Sequence, residues 1–329
     1  MTESDILAAL ENLEPAAMQA FLDAVRALVD AATLSDIEAL IAEGNVNGVV
    51  DAVGSLPTAA LAEVLRGSFI AGGRSVIVRI APAGRPVEFD AGTPEAQAVL
   101  NESAGQLKAT VAREQAEAVR ATIAAGINRG QSPRETALDV IGRVSPQTGQ
   151  RIGGVIGLAE PDARAVSKAV DQLMSGETAL LRQYLTRKDR DPRLDGIVHS
   201  ALAAGRAVSS MDAKRIATAY AERKLQARAD LLSRKETLKA YNAGWHQLYV
   251  QQSQQAVAPA SITKAWRSKG DLRVRHTHAA LNGKRIPFDQ LFQSPSGAQL
   301  LYPGDDTHGA GLNELAGCRC TLSYRVKWE

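Results

Sequence analysis

The sequence predicts an α+β protein: a mostly helical N-terminal two-thirds with long helices, followed by a small, loop-rich C-terminal module with short β-strands. Three observations predict it. Aromatic residues make up only 4% of the chain, and a composition rich in Ala, Leu, Arg and Glu favours helix over sheet. Apolar residues recur at three- and four-residue steps through long stretches before residue 250. Beyond residue 260 that periodicity stops, and Gly, Pro, Asp, His and Cys become dense.

Residues 2 to 72 read as short amphipathic helices, carried by Leu10, Leu13, Met18, Phe21, Val25 and Leu28, with a turn at Asn45, Asn47 and Gly48. The β-branched run from Ser75 to Ile80 reads as a strand or extended connector, ended by Pro82 to Pro86. Thr93 caps a long helix with Pro94 at its first position. Its stripe is Leu100, Leu107, Val111, Val119, Ile123 and Ile127, and Gly130 stops it. Ser132-Pro133-Arg134-Glu135 is a capping box that starts the next helix. Gly149, Gly153, Gly154 and Gly157 follow no strand and precede no Gly-Lys-Ser/Thr, so they read as a turn between helices and not as a phosphate loop. Asp212 to Gln252 reads as one helix with Ile216, Leu225, Leu232, Leu238, Tyr241, Trp245 and Leu248 at helical spacing. Gln251 to Ala260, with Pro259, reads as a linker, and Ile262 to Arg267 and Thr321 to Lys327 as strands. A chain of 329 residues exceeds one hydrophobic core. The expected division is 1–90, 91–210 and 211–329.

Net charge is +2, unevenly spread. The first 60 residues carry ten acidic side chains against Arg26 alone, which leaves a basic remainder. The basic side chains placed for non-specific DNA contact are Arg187, Lys188, Arg190 and Arg193, with Arg223, Lys224 and Arg228 on the long helix. The favoured reading of that helix is a solvated surface laced with ion pairs, with Asp212, Glu222, Asp230 and Glu236 as the opposing acids. No apolar stretch is long enough to span a membrane, and the acidic start Thr2-Glu3-Ser4-Asp5 is unlike a secretory signal, so the chain is expected to stay in the compartment where it is made.

The unusual residues cluster in the C-terminal module. Cys318 and Cys320 sit two apart, so on a strand they face one side with Arg319 opposite, and a disulfide between them would be strained. They read either as two buried thiols or, with His278, as zinc ligands whose fourth partner is His276, Asp271 or water. Otherwise no cofactor is expected. Trp266 reads as an apolar anchor. Asp271 with Arg273 or Arg275, and Arg319 with a nearby acid, read as bidentate staples. No nucleophile elbow, His-Glu-x-x-His or phosphate loop is present, so no catalytic residues are assigned and a non-enzymatic role is expected. The alternative is a metal-dependent hydrolase or nuclease built on Asp271, His276, His278, Asp305, Asp306 and His308.

An ordered series of motifs runs through this region. Arg234-Lys235-Glu236-Thr237 with Asn242-Ala243-Gly244 comes first, then Trp266 ahead of Asp271, then Arg275-His276-Thr277-His278. Leu281-Asn282-Gly283, Tyr302-Pro303-Gly304-Asp305 and Cys318-Arg319-Cys320 complete it. The series resembles the phage Mu F-like head morphogenesis family of minor head proteins. The motif residues carried over are Arg234, Glu236, Trp266, Asp271, Arg275, His278, Gly283, Pro303, Gly304, Asp305, Cys318, Arg319 and Cys320. Two positions depart from the family pattern: Gly317 where Asn is usual, and Lys235 where Thr is usual. The resemblance covers roughly the last third of the chain. It implies a structural protein of the virion head interior that associates with the portal protein, and with major capsid or scaffold protein, and aids assembly, packaging or ejection.

Overall fold

The computed structural model describes residues 3–79, 84–256 and 260–328. Its first half holds α1 (Glu3–Ala31), α2 (Leu34–Ala42), α3 (Val46–Val53), α4 (Ala59–Gly73), β1 (Val78–Arg79), β2 (Pro86–Val87), α5 (Pro94–Asn128), α6 (Pro133–Ile141), β3 (Arg143–Val144) and β4 (Arg151–Ile152). There follow α7 (Glu160–Met174), α8 (Thr178–Leu185), a 3-10 turn (Pro192–Leu194), α9 (Asp195–Ala203) and the 46-residue α10 (Ser210–Gln255). The module after α10 holds β5 (Ala260–Arg267), α11 (His276–Ala279), β6 (Arg285–Pro287), β7 (Phe292–Gln293), β8 (Gln299–Leu300), α12 (Leu312–Leu315) and β9 (Thr321–Trp328). The fold class is therefore α+β, with long helices first and small antiparallel sheets at the C-terminal end.

Several starts and stops follow from local chemistry. The Thr93 hydroxyl accepts from the Ala96 amide at 3.3 Å at the head of α5, and the Ser132 hydroxyl from the Glu135 amide at 3.2 Å at the head of α6. Gly130, in the left-handed region at φ +65°, ends α5 as expected. Asn45 caps α3 through a 2.9 Å bond from the Gly48 amide. Asn47 and Gly48 are therefore the first helical turn and not part of the preceding bend. Ile127 is 59% exposed and leaves the α5 stripe. The first strand is only two residues long and pairs with Pro86–Val87, so Pro86 extends that small sheet. Ile80, Pro82 and Pro259 lie outside the described residues, and α10 takes in Gln251 to Gln255, which the sequence suggested as linker.

The chain forms two compact units that interleave, where the sequence suggested three consecutive stretches. One unit is Met1–Phe21, Ala59–Gly105 and Asp230–Glu329; the other is Leu22–Thr58 and Gln106–Ala229. The acidic first 60 residues are consequently shared between the two units. In the second unit, the loop residue Leu158 with Leu173, Leu181, Tyr184, Val198 and Ile216 of α7 to α10 belong to one core. There Arg228, nearly buried, pairs with Glu114 at 2.6 Å.

The first unit is built around the C-terminal half of α10. From Glu236 to Tyr249 every residue except Ala240 is buried, so this stretch has no solvated face. The ion-paired, solvated helix expected from the sequence is therefore corrected here. The helix is exposed on one side before this stretch and again at its end, Ser253 to Gln255, while the polar residues Glu236, Lys239, Asn242, His246 and Gln247 are enclosed. Helix α4 crosses it at glycines. A Cβ on Gly244 would stand 1.8 Å from the Phe69 carbonyl oxygen, and one on Gly72 would stand 1.9 Å from that of Tyr241. In the module, β5 is the central strand of the order β6-β5-β9, with Trp266 opposite Leu322 and Lys264 opposite Tyr324.

The glycine crossing gives a paired prediction. Gly244→Ala must push two backbones apart and should cost at least about 1–3 kcal/mol. Gly67→Ala, on the same α4 but facing open space, should stabilise by about 0.5–1 kcal/mol. Urea unfolding of the two variants checks both signs; an unchanged Gly244→Ala would show that the helices do not touch there.

Candidate functional site

The motif residues fall into two groups of contacts, both inside the first unit. The first group docks the Tyr302-Pro303-Gly304-Asp305 segment on α10. The Asn242 side-chain amide donates to the Pro303 carbonyl at 2.9 Å. Gly304, at φ +91°, lies on the α10 backbone, where a Cβ would be 3.0 Å from the Lys239 nitrogen. Only glycine combines that φ with that approach. Asp305 is fully buried and accepts from the Leu301 amide (2.7 Å), the Thr307 amide (3.0 Å) and the Thr307 hydroxyl (2.6 Å). Asp306 next to it pairs with Lys239 and, at 3.1 Å, with Lys235. Burial raises the Asp306 carboxyl, but the charges of Lys239 and Lys235 outweigh it and hold the group low. Lys235 also reaches Glu236 at 2.9 Å. The departure at Lys235 thus adds an ion pair to the docking surface. Arg234 points outward and pairs with Asp230 at 2.9 Å.

The second group surrounds Trp266, which is fully buried and meets His278 and Phe292 edge-on at 5.0 and 5.2 Å between ring centres. Gly283, at φ +78°, turns the chain so that its amide donates to the Trp266 carbonyl at 2.9 Å. Arg319 and Asp271 form a bidentate pair with both bonds at 2.7 Å. That pair holds the Asp271 carboxyl down at about 2. Arg275 does not pair with Asp271. Its guanidinium donates to the carbonyls of Glu314 and Ala316, tying α11 to the end of α12. Gly317 has φ +64°, a conformation that Gly and Asn both adopt, so its departure from the family pattern keeps the turn.

Cys318, Cys320 and His278 converge beneath Trp266. Nδ1 of His278 is 3.5 Å from each sulfur, and the three donor atoms lie within 4.8 Å of one another. Both cysteines are free thiols that precede β9, and they face the same way while Arg319 turns toward Asp271. The Cys320 thiol and, after it, His278 hold the Cys318 thiol low, and the same contact pushes Cys320 up. On the far side of the imidazole, Nε2 lies 2.9 Å from Glu314, which is 2% exposed, close enough to pair but off the line of an ideal hydrogen bond. Burial raises the Glu314 carboxyl, yet bonds from Ser296 and Thr277 and the charges of His278 and Arg275 leave it low.

The hydrolase alternative required six residues in one place, and the structure separates them. Asp271 is with Arg319, His276 is exposed, Asp306 is with lysines, and His308 bonds to the buried Asp305 at 3.0 Å. Among the described residues, His278, Cys318 and Cys320 alone bring three such side chains within ligand distance. The candidates for DNA contact are mostly engaged. Arg187 bonds Gln172 at 2.8 Å, Arg190 pairs with Asp195 at 3.0 Å, and Arg193 with Asp191 at 2.7 Å. Lys224 pairs with Asp189 at 2.9 Å and Arg228 with Glu114. Lys188, Arg193 and Arg223 are the exposed members of that set, and of these Arg193 is the one paired with a buried acid.

Three residues near the site gave no signal in the sequence. Glu314 sits in the short Leu-Asn-Glu-Leu turn of α12, His246 lies within a helix, and Lys264 looks like an ordinary strand lysine. In the structure Lys264 is fully buried on the Trp266 face of β5 and donates to the Leu301 carbonyl at 2.7 Å. Burial pulls its ammonium down to about 7, and the carboxylates of Asp305 and Asp289 offset this only in part. Burial, and then the Lys264 charge, depress His246 to about 3, which keeps it neutral against the Tyr324 hydroxyl.

With this geometry in place, comparison with known proteins becomes specific. Residues 196–323 match the family model described as Phage Mu protein F like protein. The chain is Mu F-like over these residues. The match takes in every motif position from Arg234 to Cys320 and begins at the start of α9, ahead of the first motif. The family is the head-morphogenesis family that the motifs resembled. No curated protein and no solved structure matches the chain. No helix among the described residues is long and apolar enough to cross a membrane.

Lys264 yields a pH prediction for the Mu F-like module. In the unfolded chain it stays protonated up to its ordinary value, whereas in the folded module it loses its proton above about 7. Between those values the unfolded state binds more protons, so stability rises with pH; below about 7 both states are charged and the contribution is flat. Relative to Lys264→Met, the wild type should gain on the order of 2–4 kcal/mol between pH 7 and 10. The lost bond to Leu301 is a constant offset in that comparison. Denaturant unfolding of both proteins at four pH values measures it, and parallel pH profiles would contradict it.

Proposed function

We propose that this chain is a minor head protein of a tailed phage or prophage, associated with the portal vertex inside the procapsid and aiding head assembly, DNA packaging or ejection. The observation that carries the proposal is the Mu F-like match over residues 196–323. The use made of the motif residues supports it. They bond to one another and to α10, and build a rigid module rather than an open cleft lined by catalytic groups. A non-enzymatic, structural role is the reading consistent with that arrangement. Portal is the expected partner, with major capsid or scaffold protein as a further contact. Non-specific DNA contact by the basic side chains is not favoured, because five of the seven candidates are already bonded within the protein.

The proposal is tested on particles. The protein should co-sediment with procapsids in few copies and be lost from heads assembled without portal. Abundant protein in infected-cell lysate with none in purified heads would overturn it. A portal-independent association would move the contact from portal to the capsid shell.

A further inference from the structure

We infer that His278, Cys318 and Cys320 bind one zinc ion, which closes the Mu F-like module as a structural staple. The inference concerns the chemistry of the module and stands independently of where in a particle the protein resides.

The donor set is the first argument. Two thiols and one imidazole are soft ligands of the kind that select zinc over hard cations. The spacing is the second. With zinc–sulfur bonds of about 2.3 Å and zinc–nitrogen bonds of about 2.0–2.1 Å, a tetrahedral site places sulfur and nitrogen about 3.6 Å apart. In the structure Nδ1 is 3.5 Å from both sulfurs, so both nitrogen–sulfur edges already have the length such a site requires, and the sulfurs lie within 4.8 Å of each other. A disulfide would instead need the two sulfurs about 2 Å apart, and both cysteines are free.

The outer shell is the third argument. Zinc-bound histidines pair their remaining ring nitrogen with a carboxylate, which fixes the ring and its tautomer. Glu314 stands 2.9 Å from Nε2 and leaves Nδ1 as the lone-pair donor facing the sulfurs. Glu314 is itself held, by the Thr277 hydroxyl at 3.1 Å and the Ser294 hydroxyl at 3.4 Å. Such a buried carboxylate is costly unless it orients something. The fourth position is assigned to water on the side of Cys318, which is partly exposed where Cys320 is buried.

Need is the fourth argument. Helix α11 and the Cys318–Cys320 turn lie some 40 residues apart in a region where no regular element between β5 and β9 exceeds four residues. Loop-rich modules of this size are commonly stapled by metal or disulfide. Binding would displace the thiol protons, so occupancy should fall on acidification.

The test uses the full chain, reduced and freed of metal, titrated with Co²⁺ and then Zn²⁺. Co²⁺ should produce visible absorption bands of a tetrahedral site together with sulfur-to-metal charge transfer, saturating at about one equivalent, and Zn²⁺ should bleach them. Zinc should raise the thermal midpoint, and the shift should vanish in Cys320→Ser and His278→Ala while persisting in Lys269→Ala, at an exposed position outside the group. Because those variants could fail to fold, the wild-type spectrum decides the matter by itself. A reduced wild-type protein that gives no charge-transfer band and retains no zinc after gel filtration overturns the inference, as does a saturated spectrum that survives in Cys320→Ser.

Discussion

Burial of α10 on all sides from Glu236 to Tyr249 is the constraint on which the first unit depends. A helix without a solvated face must find partners inside the protein for every polar side chain it carries. Between Glu236 and Gln252 these are numerous, and the surrounding chain meets several of them, while Thr237 Oγ1 and Gln247 Oε1 stay buried without a hydrogen-bond partner among the described residues. Asn242 is bonded by the Pro303 carbonyl, Lys235 and Lys239 by Asp306, and His246 by Tyr324. Gln251 bonds the backbone of Asp90 on both its amide and carbonyl, and Gln252 reaches the Arg79 carbonyl. Loops far apart in sequence are thereby fixed at defined heights along one helix. Glycine at positions 72, 244 and 304 lets backbone approach backbone where a side chain would not fit.

This changes how the Mu F-like motifs are understood. Their members are spread over nearly ninety residues, yet each has a structural task close to the helix or to Trp266. The Tyr-Pro-Gly-Asp turn is a clamp on α10. Asp271 with Arg319, and Arg275 with two carbonyls, close the ends of the loops that carry the Cys318–His278–Cys320 group. A module held together in this way presents a fixed surface, which suits a component of an assembly. The match to the family begins in α9, in the second unit, so the matched stretch is not confined to the unit that holds the motifs.

Much of this was legible from the chain alone, for reasons that can be stated. Helix starts at Thr93 and Ser132 and the stop at Gly130 are set by neighbours in sequence, so local chemistry reveals them. The strands Ile262 to Arg267 and Thr321 to Lys327 stood out because β-branched and aromatic residues follow a helical region. The pairing of Arg319 with an acid and the convergence of Cys318, Cys320 and His278 followed from residue chemistry. What stayed hidden is long-range. Lysines and glutamines on α10 look solvated until the module covers them, and the same error made Asp212 to Gln252 read as an ion-paired surface helix. Nothing adjacent to Glu314 indicates that it faces His278. The interleaving of two units cannot be seen in a linear pattern, because helices as long as α1, α5 and α10 serve both.

If α10 is the axis of this unit, its enclosed half cannot open without the module. Native-state hydrogen exchange across a denaturant series measures that directly. Amides from Glu236 to Tyr249 should exchange with the same opening free energy and the same denaturant dependence as those of β5 and β9, as one cooperative unit does. Exchange of the α10 amides more than about tenfold faster than those strands, with little denaturant dependence, would show a helix that frays alone and would contradict the account.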